Sequence, residues 1–251
     1  MPTYTPDHYS FSPSPVVHTS RLRTDYVGCS VCGEGRAHYL FFRAGVRFVR
    51  CVSCGLVYVS PVGSAGTGYF DIAGSGRLVT PKDHGLAVRD LAHMLARLGQ
   101  QFTQRSGRAP KRTLLFGRFF AELADLPELQ ALSLEVVRIE ADAFARLSEH
   151  SDISAFTERI GPEVDLVILN ELLEACPDPG KVLGQVAERL HVGAELAIAY
   201  ADAESLPARL LRRHWPAFFD LKRAFFSLAH LTRLGARHGL SLVEQEAVPV
   251  H

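Results

Sequence analysis

Two short turns, Cys29-Ser30-Val31-Cys32-Gly33 and Cys51-Val52-Ser53-Cys54-Gly55, stand eighteen residues apart and constrain this chain more than any other feature. In each turn both sulfurs can face one point, and the glycine that follows removes a Cβ that would crowd backbone N–H groups directed at the thiolates. Together they supply four thiolates, the donor set of a structural Zn2+ site with Cys29, Cys32, Cys51 and Cys54 as ligands. All four positions are then taken by protein, so the metal holds structure and any chemistry lies elsewhere. Two disulfides, or four unrelated buried thiols, are the competing readings. The opening residues, Met1 to Asp7, show no basic segment followed by an apolar core, so nothing points to an oxidising compartment; the expectation is a cytoplasmic protein. Cys176 stands alone in Glu174-Ala175-Cys176-Pro177 with no base beside it and reads as an inert, buried thiol.

The chain has 251 residues, 47% hydrophobic and 22% charged, enough for one substantial core plus a small module, and no apolar run is long enough to cross a membrane. The formal net charge is zero, which gives no global field to attract nucleic acid or anionic lipid. A local surplus exists between residues 21 and 54, where Arg21, Arg23, Arg36, Arg43, Arg47 and Arg50 face Asp25 and Glu34. A solvated ribbon surface is its ordinary meaning. Without an interleaved aromatic platform or a second basic region, a nucleic-acid module ranks last among the readings.

Residues 1–20, with Pro2, Pro6, Pro13 and Pro15, have no hydrophobic period and read as an extended arm. Short strands are expected at Tyr39–Phe42, Val46–Arg50 and Leu56–Val59, so residues 21–61 form a zinc ribbon. The glycine-rich stretch within 62–83 reads as a linker. From His84 the pattern alternates between helix and strand. Leu91, Met94, Leu95, Leu98 and Phe102 mark one helical stripe, followed by a strand at Thr113–Phe116 and a helical period at Phe119, Phe120, Leu123 and Leu126. Leu134–Glu140 reads as a strand ending on an acid, Asp152–Phe156 as a weak third strand, and Val164–Asn170 as the central one, almost continuously apolar. Asp178 with Pro179 opens a helix. A strand at Leu196–Tyr200, a basic helix at Leu206–Arg213, a helix from Ser227 to Gly239 and a last strand within Leu242–Val250 complete the series. Residues 84–251 thus predict an α/β domain, a mainly parallel sheet with helices on both faces, whose ligands sit at the carboxyl ends of the strands. Gly117, Glu140, Asn170 with Glu171, and Tyr200 to Asp202 are the strand-end residues.

From about Cys29 to the end, the order of motifs resembles bacterial class I S-adenosylmethionine-dependent methyltransferases that carry an N-terminal zinc ribbon. Arg50-Cys51-Val52-Ser53-Cys54-Gly55-Leu56-Val57-Tyr58 looks like that family's second knuckle. Val164 to Glu174 followed by Pro177-Asp178-Pro179 looks like its fourth strand and the loop after it, and Ala201 to Ser205 with His214-Trp215-Pro216 is similar to the segment after its fifth. The resemblance implies a Rossmann-like sheet and a site for S-adenosylmethionine in which Gly117, Glu140 and Asn170 would hold the donor, Glu140 through its ribose hydroxyls.

Several positions depart from the family. Its first strand ends in an acid and a loop of the form Asp/Glu-x-Gly-x-Gly-x-Gly. Here the sequence is Phe116-Gly117-Arg118-Phe119-Phe120, with one glycine, no acid before it and two large aromatics. Side chains there occupy space that a ligand approaching the backbone needs. Glu174 matches the acid of the family's Glu-His pair, but Ala175 stands at the histidine place, which removes a proton acceptor. Lys222-Arg223 replaces a second histidine; such a pair could hold an acidic ligand, though a solvated face is its commoner meaning. Glu140 reads equally well as a solvent-facing acid at a strand end. These departures predict a degenerate, non-methylating protein that acts as a scaffold or accessory binding protein for a protein partner, with room for a small-molecule ligand. An active methyltransferase on a small-molecule acceptor is the alternative.

Overall fold

The computed structural model describes residues 24–25, 27–43, 46–60, 62–63, 81–117, 129, 132–137, 147, 150–219 and 222–246. The expected arm at 1–20, most of the expected linker, the helical period at Phe119–Leu126 and Glu140 lie outside the described residues.

A parallel sheet covered on both faces builds the larger half. Strand β8 (Leu166–Asn170) is buried at every position and pairs in parallel with β6 (Thr113–Gly117) on one side and β9 (Glu195–Ala199) on the other. Strand β7 (Leu134–Val136) adds to the far side of β6, giving the order β7-β6-β8-β9. Leu115, Leu166 and Ile168 point to one face and pack on Leu91, Ala92 and Leu95 of helix α1 (Pro81–Ser106), the stripe expected from the sequence. Leu114, Phe116, Val167 and Leu169 point to the other face and meet Val182, Leu183 and Val186 of helix α3 (Pro179–Ala187) and Leu231 and Leu234 of helix α5 (Leu228–Ala236). A strand covered on both faces must be apolar throughout, which is why this segment reads so clearly. Helix α3 starts where expected, with Asp178 Oδ1 accepting the Lys181 N–H at 2.9 Å and Pro179 at its first position.

Two expectations are corrected. Asp152–Phe156 is not a strand: Asp152 Oδ1 accepts the Ser154 N–H at 2.9 Å, and the turn runs into the short helix α2 (Ser154–Thr157). Residues 242–246 are not paired with the sheet either. Leu242 and Val243 are exposed, while Glu244 and Glu246 reach Arg97, Gln101 and Arg105 of α1, so polar contacts set the path of this segment.

The N-terminal half is antiparallel. Strands β2 (Ala37–Arg43) and β3 (Val46–Cys51) form a hairpin, and β4 (Val57–Val59) pairs with β3. One edge strand of this sheet is β10 (Ala224–Phe225), supplied from far along the chain and antiparallel to β4; β2 forms the other edge. One face buries aromatics: Phe48 and Phe225 with Phe41, Trp215 and Phe218, the Phe41–Phe48 centroids 4.7 Å apart and Phe218–Phe225 4.8 Å. Spacings of this order suit aromatic pairs, each adding about 1 kcal/mol beyond the area they bury. A two-residue ladder joins β1 (Thr24–Asp25) to β5 (Val62–Gly63), closing the segments that enter and leave the sheet. The polypeptide between β9 and β10 carries helix α4 (Leu206–Leu211), capped by Ser205 Oγ, in the place expected for the basic helix.

Candidate functional site

The two cysteine turns fold identically. Gly33 N–H donates to the Cys29 carbonyl at 2.8 Å and Gly55 N–H to that of Cys51 at 3.1 Å, while Cys29 and Cys51 donate their own N–H groups to Glu34 and Leu56. The turns need a left-handed residue after the second cysteine, and Gly33 and Gly55 supply it with φ of 77° and 80°. All four Sγ atoms lie within 4.8 Å of one another, Cys29–Cys54 at 3.4 Å and Cys32–Cys51 at 3.5 Å. These separations are too long for disulfides, whose S–S bond is about 2.05 Å. They suit thiolates on one tetrahedral ion, since Zn–S bonds of about 2.3 Å place sulfurs about 3.8 Å apart. The chemistry of the donors agrees. Partial burial opposes it, yet the Glu34 amide and the neighbouring sulfurs pull the Cys32 thiol down to about 7, while burial pushes the Cys29 thiol up. A dication shared by four sulfurs removes that conflict, and the residues fit a structural zinc ion that braces the ribbon.

Residues 222–230 tie this ribbon to the parallel sheet, which the sequence did not reveal. Val59 donates to the Arg223 carbonyl at 2.9 Å, and Arg223 N–H donates to the Glu174 carbonyl at 2.7 Å. His230 completes the tie. The Ser227 N–H donates to Nδ1 at 3.0 Å, so the ring proton sits on Nε2, which donates to the Cys54 carbonyl at 2.9 Å. Ser227-x-x-His230 is a capping box with imidazole in place of the usual Glu or Gln. That spacing is the only sequence signal His230 offers; its partner in the knuckle is 176 residues away.

At the other sheet, the carboxyl ends of β6 and β8 lie where the strand order reverses, the crevice in which open α/β sheets bind ligands. Gly117 and Asn170, two of the three expected donor-site residues, are partners in register there; Glu140 lies outside the described residues. Gly117 has φ of 115°, and a Cβ on it would overlap the Asn170 carbonyl. Beyond β8 the chain enters a turn through Glu171, a non-glycine residue at φ of 53°, and reaches Glu174 in a single 3-10 turn.

Glu174 is 0% exposed. Its Oε1 accepts the Ala201 N–H at 3.0 Å and the Lys222 ammonium at 2.9 Å, and Lys222 also reaches Glu171 Oε1 at 3.1 Å. Glu174 Oε2 is buried with no hydrogen-bond partner. Burial pushes this carboxyl up to about 7 against the pull of Lys222, and Glu171 adds to the rise. Burial alone would lower Lys222, but Glu174 and Glu171 hold it above its ordinary value. The two directions agree: burial disfavours the charged form of Glu174 more than the shared ammonium of Lys222 favours it. Tyr200, at the end of β9, is pushed up to about 12 by burial and by Asp202, Glu174 and Glu204. The expectation of a solvated Lys222 is corrected: it is 5% exposed and fills the space between the loops after β8 and β9. Cys176 is buried, its thiol donating to the Leu172 carbonyl at 3.1 Å, and burial pushes its pKa up, as an inert thiol requires.

A parallel sheet in this order, with a glycine and an asparagine abutting at the reversal, defines a doubly wound α/β protein of the Rossmann-like class, here joined to a cysteine ribbon. Residues 71–245 match the model of the methyltransferase domain family, and the chain belongs to that family. No curated protein matches it. Among the described residues, no helix is long and apolar enough to cross a membrane.

Proposed function

We propose that this methyltransferase-fold protein does not transfer methyl groups and works as a zinc-braced scaffold for a protein partner. The observation that carries the reading is the burial of Glu174. In the family pattern this acid pairs with a histidine; here it is sealed from solvent, held by Lys222 and the Ala201 amide, with Ala175 at the histidine place. A charged Lys222 cannot accept a proton, and a carboxyl with no open face cannot reach an acceptor. The sequence Gly117-Arg118-Phe119-Phe120, lacking the acid and glycines of the donor loop, supports the same reading. Methyl transfer depends on holding sulfonium and acceptor in line, a task that both departures weaken.

A second reading, an active S-adenosylmethionine-dependent methyltransferase, is favoured by one feature: Gly117 and Asn170 keep the reversal point of the sheet intact. Isothermal titration of the zinc-loaded chain with S-adenosylmethionine and its demethylated product separates the two. The scaffold reading expects no heat attributable to binding. Micromolar affinity for either compound overturns it.

A further inference from the structure

We propose that helix α4 and the turn after it form a contact face for the anionic surface of a lipid bilayer. The helix is oriented the wrong way round for burial in a protein core. Leu206 and Leu210, four residues apart, share one face and are 68% and 72% exposed, Leu211 beside them is 45% exposed, and the residue turned to the core is Ala208. A helix that buries its alanine and shows its leucines leaves contiguous apolar surface in water, which marks a contact site. The segment is anchored at both ends. Ser205 Oγ accepts the Ala208 N–H, Ala208 and Trp215 are buried with Phe48 and Phe225, the Trp215 and Phe218 rings meet edge to face at 5.1 Å, and the Arg43 guanidinium donates to the Arg213 carbonyl.

Charge identifies what covers it. Arg209, Arg212, Arg213 and His214 are all exposed, and from Ser205 to Phe219 the sequence has no acid. Among the described residues none of these three arginines pairs with a carboxylate, whereas Arg105, Arg108 and Arg112 each do. Asp202 and Glu204 stand before the cap, where Asp202 Oδ1 accepts the Glu204 N–H at 2.8 Å. Leucines that enter the boundary of a bilayer, beside arginines that reach its phosphates, are the two signals that together give reversible binding to an anionic membrane. Arginine suits the arrangement, since its stem lies along apolar surface while its head stays with the headgroups. Size decides between a bilayer and a protein. Residues 206–214 form a ridge smaller than the roughly 20–30 residues that a stable protein interface uses on each side, while a bilayer needs only the insertion and the charge. With a net charge of zero over the whole chain, the attraction is local to this ridge and orients the molecule on the surface.

The test uses the full chain, zinc-loaded and reduced, sedimented with vesicles of phosphatidylcholine alone or of equal parts phosphatidylcholine and phosphatidylglycerol, at low and at high salt. The parent chain binds the mixed vesicles, not the neutral ones, and salt releases it. Replacing both leucines, Leu206→Ser with Leu210→Ser, lowers the partition coefficient at least about tenfold. Arg209→Gln with Arg212→Gln lowers it roughly twenty-five-fold, about fivefold for each charge near an anionic surface. Both pairs of changes lie on exposed side chains, so the urea midpoint and zinc content stay those of the parent. The proposal is overturned if the parent fails to bind the mixed vesicles, or if the leucine pair binds as the parent does, which would reduce the contact to charge alone. Binding of polyglutamate in place of the vesicles overturns it too and gives the ridge to an acidic protein. Neither donor binding nor methyl transfer enters these readouts, so they stand apart from the scaffold reading.

Discussion

The two ends of the parallel sheet are built from the same kinds of residue and finished in opposite ways. At the amino ends, three arginines of one segment each find a carboxylate. Arg105 at the end of α1 takes Glu195 of β9, Arg108 takes Asp165 before β8 at 2.6 and 2.7 Å, and Arg112 takes Glu135 of β7 and Glu163. Asp165 also accepts the Lys111 N–H at 2.6 Å. At the carboxyl ends, two carboxylates compete for Lys222, Glu174 Oε2 has no partner, and Glu171 sits in a left-handed conformation. The contrast separates scaffold from site. The amino ends are not free of residual polarity or strain, since Thr113 Oγ1 has no partner and Ser133 is left-handed at φ of 45°; what sets the carboxyl ends apart is two carboxylates on one buried ammonium, at the edge where open α/β sheets bind ligands.

The comparison breaks most easily at Lys222. Lys222→Met removes the ammonium that Glu174 shares with Glu171, and removing one partner of a buried pair costs about 3–5 kcal/mol. Urea denaturation at pH 8 should show that loss, and at pH 5.5 a smaller one, because Glu174 then takes up a proton. An equal loss at both values would mean that the carboxylates are not the reason Lys222 is buried.

Gly117→Ala comes next. Its φ of 115° disfavours any side chain, and the new Cβ would meet the Asn170 carbonyl, so we expect a loss of about 2–3 kcal/mol in the same assay. A neutral substitution would show that β6 and β8 separate easily at their carboxyl ends and that the reversal point is looser than the register implies.

How much of this was legible in the sequence depends on how far apart the partners lie. The cysteine turns, the β2–β3 hairpin, the central strand and the Asp178-Pro179 helix start each rest on contacts within a few residues or on a period that repeats locally, and all four could be read. Lys222 could not. Its partners are 48 and 51 residues away, and nothing near Lys222-Arg223 distinguishes a buried ammonium from a solvated one. The edge strand β10 and His230 were hidden for the same reason. Asp152–Phe156 was misread as a strand because the short turn set by Asp152 leaves no period to count, and the described part of Leu242–Val250, residues 242–246, because apolar and acidic residues together mimic a strand.

The smallest effect tests the comparison by its sign. Arg108 first, with the Lys111 amide, pulls Asp165 down to about 2 from 3.8, against the opposing effect of burial. A lowered carboxyl stabilises the fold above its unfolded value and loses that contribution as pH falls from about 4 to about 2, an amount near 2 kcal/mol at 1.36 kcal/mol for each pH unit. Glu174 runs the other way. Raised from 4.5 to about 7, it binds its proton more tightly in the folded chain, so stability declines as pH rises through that interval. Asp165→Asn should therefore flatten the acid limb of a stability profile measured by urea midpoints, and Glu174→Gln the limb between pH 5 and 7. If one substitution flattened both limbs, the two ends of the strand would be titrating as one unit, and the division between a finished end and an unfinished one would fail.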